Sequence, residues 1–296
     1  MNAKTVYRFF LNISSKILGV TLTKKLDAKI RFRRTLNLQE PTTLADKLCY
    51  MELYVDDPVK TRCSDKYAVR KYVADKGLSD ILVPLCCEPC SDVDEIDFDA
   101  LPNQFAMKAA HGCAMNLICA DKSALDIRKA RKLADKWLHE DYPRACIEPH
   151  YKNIPHRVIF EAFLEDAESI SDYKFHCFHG MPDFVLVCGN RVSGVQKRIY
   201  TLDWQPVDAM IGEEKGSYEF EKPAGLQRMI EISKILSADF DFVRVDLYDI
   251  HGKIYFGELT FSPASGVLPN FSEEFIAEKG KLLDITGIKQ SGRTLI

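Results

Sequence analysis

In the stretch FVRVDLYDIHGKIYFGELTFSPASG, residues 242–266, charged side chains stand inside two apolar runs. Arg244 and Asp246 are two residues apart, and so are Glu258 and Thr260. Side chains two apart on a strand share a face. A hairpin turning through His251-Gly252 lays the two pairs side by side. Two carboxylates and a hydroxyl form a hard, oxygen-rich donor set of the kind Mg2+ takes, with phosphate oxygens and water completing its shell. An arginine beside them suits a phosphate or a developing negative charge. The same residues also fit a salt-bridged structural hairpin, Arg244 to Asp246 or Glu258, and the pattern alone leaves both readings open.

Further groups of the right chemistry lie far away in sequence. Lys108 ends an apolar run beside a loop that opens with His111-Gly112 and can hold phosphate as a point charge. Lys66 follows a candidate helix cap, Ser64 or Asp65, where free backbone N–H groups favour anions. Glu161 lies in VIFEAFLE, where the backbone of Phe163 and Leu164 could face an adenine and their side chains wall it; core packing accounts for them equally well. Lys174 and His176 alternate with apolar residues on one polar strand face. Lys197 joins Arg191 and Arg198 in a basic group that suits phosphates, an acidic acceptor or a solvated loop.

These residues need an α+β scaffold to meet. Helices are expected over 42–57, 64–77, 123–140 and 222–236, each placed by apolar spacing, a polar cap or a terminating Gly or Pro. Short strands are expected at 81–85, 104–108, 117–119, 157–164, 173–178, 184–188, 242–247 and 254–259. This order predicts at least two small sheets with helices rather than a parallel doubly wound sheet. Neither a GxGxxG fingerprint nor a Walker A loop is present.

The chain has 296 residues, 46% of them hydrophobic, enough for a large core. No apolar run is long enough to span a bilayer, and the first residues do not read as a secretory signal, which together suggest the cytosol. Ten cysteines are then expected as thiols. Cys87-Glu-Pro-Cys90 is half of a metal or redox spacing with no second CxxC to answer it. Net charge is −3, unevenly spread. Residues 1–34 carry nine basic residues against the single acid Asp27, a net +8. With Val6, Phe9, Phe10, Ile13, Ile17 and Leu18 near helical spacing, this segment suits an anionic membrane face, a partner or its own domain. Nucleic acid fits poorly, since the patch is short and no nucleic-acid-binding signature follows.

Taken in order, DKYAVRKYV, EIDFDALPNQFAMKAAHG, HYKNIPHRVIFEAFL, DYKFHCFHG, YTLDW and RVDLYDIHGKIYFGELTFSPASG resemble ATP-grasp enzymes. The resemblance is to the TupA-like branch associated with teichuronopeptide and surface-polysaccharide biosynthesis, and it runs from about Leu44 to about Gly266. It implies an ATP cleft between two α+β lobes and activation of a carboxylate as an acylphosphate that an amine or other nucleophile attacks. The implied division is a basic helical extension (1–40), a truncated N-terminal segment (41–90), a lid lobe (91–165) and a C-terminal lobe with the metal site (166–296). The implied cofactors are ATP and Mg2+, and the acceptor is a glycan or amino-acid carboxylate. By this resemblance Lys66, Lys108, His111, Gly112, Glu161, Phe163, Leu164, Lys174 and Lys197 contact the nucleotide. Lys66, Lys108 and Arg244 steady the transferring phosphoryl group, and Asp246, Glu258 and Thr260 hold metal. Thr260 stands where many relatives carry asparagine, a stronger ligand. The lid also departs from its family pattern, close to KPNHGSGGN, because Cys113, Ala114 and Met115 replace small, flexible or polar positions.

Two other readings compete. Asp92-Val93-Asp94 and Asp97-Phe98-Asp99 are DxD strings, as in sugar-nucleotide glycosyltransferases, although they precede a strand instead of following one. The altered lid also suits a non-catalytic ATP-binding scaffold.

Overall fold

A computed structural model describes residues 3–140, 142, 147–164, 170–189, 195–212 and 218–288, with the backbone alone for 3–6, 8 and 9. Strands β1 (Phe105–Ala109), β2 (Asn116–Cys119) and β3 (Val158–Ala162) form an antiparallel sheet in the order β2-β1-β3. Strands β4 (Asp172–Phe178), β5 (Met181–Gly189), β6 (Gln196–Thr201), β7 (Pro206–Val207), β8 (Phe242–Ile250) and β9 (Lys253–Thr260) form a second antiparallel sheet, in the order β7-β6-β5-β4-β8-β9. The expected α+β plan with two sheets is what the chain adopts.

The turns that build the larger sheet are local. His179-Gly180 and His251-Gly252 both have consecutive positive φ angles, 47° and 78° in the first, 53° and 84° in the second. Two positive φ values in a two-residue loop match the right-handed twist of antiparallel strands, so each dipeptide closes a hairpin. Helix starts are equally local. Thr43 and Asp46 form a reciprocal capping box for helix Leu44–Tyr54. Asp57, Asp126 and Ser272 cap helices Pro58–Ser64, Ile127–Leu138 and Glu273–Gly280.

The pleat divides each sheet into two faces. In the larger sheet Phe175, Val185, Val187, Val243, Val245 and Leu247 are fully buried on one face, in a core shared with Met229, Ile232 and Leu236 of helix Leu226–Ser237. The opposite face is split. Phe178, Phe184 and Phe242 pack with helices Leu44–Tyr54 and Glu273–Gly280. Further along the same strands come His176, Lys174, Arg244 and Asp246. In the smaller sheet Phe105, Met107 and Phe160 pack with Ala134 and Trp137 of helix Ile127–Leu138. Lys108, whose side chain alternates with theirs, looks the other way.

Some expectations change. Residues 81–85 form no strand: a 3-10 turn spans Ser79–Ile81, and Leu85 makes one isolated bridge to Glu161. Pro84 has no N–H to donate, although its carbonyl accepts from Ala162, so a continuous ladder cannot form there. Lys197 and Arg198 belong to β6, not a solvated loop, while Arg191 lies outside the described residues. The basic N-terminal segment is two helices, Ala3–Leu18 and Val20–Phe32, broken at Gly19, where φ is 78°. Lys24 and Arg34 are buried. No described helix is long and apolar enough to cross a membrane.

Candidate active site

Strand register brings the first-noticed residues together. Asp246 on β8 stands opposite Glu258 on β9 and Lys174 on β4, while Arg244 stands opposite Thr260 and His176. Arg244 grips Asp246 with two donors, Nε to Oδ1 at 2.6 Å and Nη2 to Oδ2 at 2.7 Å. Lys174 Nζ donates to Asp246 Oδ2 at 2.5 Å and lies 3.6 Å from Asp172. Arg244 Nη2 also reaches Glu258 Oε1 at 3.1 Å and Thr260 Oγ1 at 3.0 Å, and the threonine hydroxyl donates to Glu258 at 2.8 Å. The register of β9 shifts next to Asp246, beside Gly257. A Cβ at Gly257 would sit 3.0 Å from the Asp246 carbonyl, so a larger residue there would crowd the carboxylate strand.

These charges sustain one another. Burial pushes the Glu258 carboxyl up, but Lys66, Arg244 and Lys174 together outweigh it and hold it at about 2. Burial works against the Arg244 and Lys174 cations, yet Asp246 raises both above their ordinary values. Asp246 keeps only 3% of its side-chain surface open, whereas Glu258 keeps 31%. Burial first, then Arg244, drives the His176 imidazole well down, so it stacks neutral on Phe184 at 4.2 Å.

The distant lysines reach the same region. Lys66 Nζ lies 3.8 Å from Glu258 and donates to the Gly112 carbonyl at 2.7 Å. The free N–H groups expected around Lys66 are already used: its own N–H goes to Ala110, and Asp65 accepts from Tyr67 and Ala68. Lys108 Nζ contacts Glu161 at 2.5 Å, with Arg70 on the other carboxylate oxygen at 3.7 Å. Asp65 is held in turn by Arg157, which lies over the Tyr67 ring at 4.8 Å.

Two cavities open on either side of this charged cluster. One, with about 170 Å³ of accessible space, lies between the sheets and is lined by Lys108, Glu161, Phe163, Leu164, Asp172 and Tyr248 among others. The other, with about 140 Å³ of accessible space, is lined by Lys174, Lys197, Arg244, Cys188, Leu268 and Asn270 among others. Lys174 joins them, since it contacts Asp172 of the first and lines the second. The loop walling the second cavity holds Ala264, Ser265 and Leu268 at positive φ, a conformation most residues avoid.

The lid loop corrects the sequence reading most. His111 is fully buried inside the smaller lobe, stacked on His156 at 4.0 Å with Nε2 2.8 Å from the Trp137 carbonyl. Burial, aided by His156, lowers its imidazole to about 4, so it is a neutral, fully buried residue. Met115 is also buried, and Cys113 Sγ meets the Tyr151 hydroxyl at 3.0 Å. A Cβ at Gly112 would come within 2.6 Å of Met115 and 2.8 Å of Tyr142. Gly112 therefore packs closely against Met115 and Tyr142, and its backbone carbonyl accepts from Lys66.

The DxD acids serve local turns. Asp92 accepts from the Asp94 N–H, and Asp97 accepts from those of Asp99 and Ala100. Nine cysteines among the described residues are free thiols, Cys87 and Cys90 included; Cys146 lies outside them. Tyr248, Asp172 and Arg70 were missed in the sequence. Asp172 and Tyr248 repeat the two-residue alternation of Lys174 and of Arg244-Asp246, a signal that could have found both.

No cluster of three or more His, Cys, Asp or Glu suited to a metal occurs among the described residues. Asp246 and Glu258, with the Thr260 hydroxyl, are the donors that could hold Mg2+. Such a two-carboxylate set fits that ion when ligand oxygens and water supply the remainder.

Among solved structures, the chain is similar to D-alanine–D-alanine ligase from Helicobacter pylori, with 13% identity, 81% of this chain and 69% of that one covered, and a TM-score of 0.45. It is also similar to the Bacillus anthracis D-alanine–D-alanine ligase complexed with ATP, with 14% identity, 74% and 66% covered, and a TM-score of 0.44. A third similar structure is the D-cycloserine synthetase DcsG, with 15% identity, 76% and 70% covered, and a TM-score of 0.44. No curated protein matches the chain. The family model described as TupA-like ATPgrasp matches residues 46–283, most of the chain and all of the cleft just described. The chain belongs to the TupA-like ATP-grasp family.

Proposed function

We propose that this protein is a ligase that couples ATP cleavage to joining a carboxylate with an amine in the building of a cell-surface polysaccharide or a teichuronopeptide-like polymer. The observation that carries the reading is the pair of cavities meeting at one charged cluster. The cavity between the sheets, with the backbone and side chains of Phe163 and Leu164, is assigned to the nucleoside, and the cavity under the 263–271 loop to the acceptor. This assignment treats 91–165 as the lid lobe and 166–296 as the lobe carrying acceptor and metal, with 1–40 and 41–90 as the two N-terminal segments.

Each charged side chain then has a task. Lys66, Lys108 and Lys174 face the phosphates as point charges. Arg244, braced by Asp246 and Glu258, is aimed at the transferring phosphoryl group. Asp246 and Glu258 would hold Mg2+, which supplies charge neutralisation on the phosphate oxygens. Arg244 and Lys174 now hold Asp246, so phosphate oxygens would compete with its carboxylate for both cations. Lys197 at the rim of the acceptor cavity suits an acidic acceptor such as a uronic acid or an amino acid. A carboxylate oxygen attacks the γ-phosphorus and ADP leaves. The amine then attacks the acyl carbon, and phosphate departs with the former carboxylate oxygen. Closing the lobes excludes water from the acylphosphate. The protein is assigned to the cytoplasm, with residues 1–34 giving peripheral contact to an anionic membrane or a biosynthetic partner.

The turns made by Asp92 and Asp97 weigh against the glycosyltransferase reading, since those acids are already used as caps. The deciding experiment is an acceptor screen for ADP release, followed by 18O-labelled acceptor carboxylate. Label appearing in inorganic phosphate is expected. ADP release with no label transferred to phosphate would overturn the acylphosphate route.

A further inference from the structure

The two N-terminal helices expose an apolar row that the body of the protein leaves uncovered. On helix Ala3–Leu18 the exposed residues are Phe10, Ile13 and Ile17, spaced three and four apart, with Leu18 beside them. On helix Val20–Phe32 they are Leu22, Leu26 and Ile30, spaced four apart. Such spacings put each set on one helical face. Ile17 and Ile30 are 75% and 77% exposed. Single exposed apolar residues are ordinary, but a contiguous stripe marks an interaction surface.

The opposite side of the second helix is anchored. Val20, Thr23, Lys24 and Ala28 are buried. The exposed row is therefore held outward by packing on its far side. The segment also carries exposed basic side chains, Lys16, Lys29, Arg31 and Arg33, with Lys25 half-buried. The single acid of the segment, Asp27, keeps 8% of its side-chain surface open and lies 3.9 Å from Arg31. The surface thus presents apolar and cationic groups with almost no accessible negative charge.

We infer that this helical pair lies in the plane of an anionic lipid surface, with Phe10, Ile13, Ile17, Leu22, Leu26 and Ile30 entering the acyl boundary and the basic residues at the headgroups. This rests on, and narrows, the peripheral contact named above. A lipid surface is favoured over a second copy of the chain by charge, since two such faces would bring like charges together. An apolar face with Lys and Arg at its margins is the pattern of an in-plane interfacial helix. Basic groups near an anionic surface strengthen binding by about fivefold each, and salt weakens the effect.

Flotation of the full-length protein with phosphatidylcholine vesicles, with and without phosphatidylglycerol, tests this. Wild type is expected to float with the anionic vesicles, less so as salt rises, and to remain free with neutral ones. Ile17→Glu and Ile30→Glu each replace an exposed side chain, so folding and ATP-dependent ADP release in solution are expected to persist. Vesicle binding is expected to fall roughly tenfold or more in each, from the lost apolar burial. Lys16→Glu, equally exposed, is expected to weaken anionic binding further than removal of one positive charge. Failure of wild type to float, or flotation unchanged in both isoleucine variants, would overturn the inference. So would a soluble dimer that either variant converts to monomer, because a second copy would then cover the row. Vesicle binding is read without any acceptor, so its failure is separable from failure of the ligase reading.

Discussion

Two buried charge clusters in this protein have similar composition and different surroundings. In the first, Arg244 and Lys174 line a cavity and are paired with Asp246 and Glu258, and Glu258 keeps 31% of its side-chain surface open. In the second, Glu52 is wholly enclosed, with His150 at 2.6 Å and Lys60 at 3.4 Å. Lys24 is buried nearby with no hydrogen-bond partner for its Nζ among the described residues. Burial pushes the Glu52 carboxyl up, but His150, Lys60 and Lys24 outweigh it and hold it far below the ordinary range. The Glu148 carboxyl, beside this cluster, accepts from Ser262 and Tyr142 among the described residues, and burial with the charge of Glu52 raises it to about 7. Dense charge is common to both clusters; access to a ligand-sized space is not. The first is proposed to do chemistry, and the second joins the N-terminal helices and the 148–151 turn to the body of the protein.

Substitutions should separate the two. The largest stability effect is expected from Glu52→Ala, which strands His150, Lys60 and Lys24 in a sealed site. A loss of about 3–5 kcal/mol in denaturant unfolding is expected, with ATP affinity of the folded fraction retained. A loss of ATP affinity without a loss of stability would erase the distinction between the clusters. Asp246→Asn keeps the shape of the other cluster while removing its charge. ADP-forming turnover is expected to fall by at least about a hundredfold, and turnover near wild type would make that cluster structural as well.

Glu148→Gln sharpens the comparison through pH. Because the folded Glu148 carboxyl lies at about 7 against an ordinary 4.5, its contribution is fully present below 4.5 and lost as pH rises through 7. Wild type should therefore lose stability relative to the variant across that window, by about 3 kcal/mol. Parallel unfolding curves over the same pH range would count against a buried, uncompensated carboxyl. Glu258 has the opposite sign. Its carboxyl is held at about 2, so its contribution is present above 4.5 and lost as pH falls toward 2. The smallest effect is expected from Lys108→Ala, about a tenfold weaker apparent ATP affinity with little loss of stability, since its pair with Glu161 is partly solvated. Isothermal titration with ATP checks it.

The clusters also differ in how far the sequence revealed them. Arg244-x-Asp246, Glu258-x-Thr260 and Lys174 were legible because a strand repeats every two residues and His251-Gly252 marks the turn that pairs β8 with β9. The lid was misread because the sequence shows residue types, not which way a loop folds. His111 looked like a ligand group, yet a stacked partner, His156, lies forty-five positions away and buries it. Pro84 ended a strand that its apolar neighbours suggested. The Glu52 cluster left no local signal, because its members Lys24, Glu52, Lys60 and His150 share no common period. Tertiary packing alone brings them together.

The most direct test is the shift in melting temperature produced by Mg-ATP, taken for wild type, Asp246→Ala and Glu258→Ala, each against its own ligand-free value. Linkage makes that shift a measure of binding, whatever each substitution does to the unliganded fold. A clear rise in wild type that mostly vanishes in both variants is predicted. An equal rise in all three would contradict the assignment of these two carboxylates to metal and nucleotide.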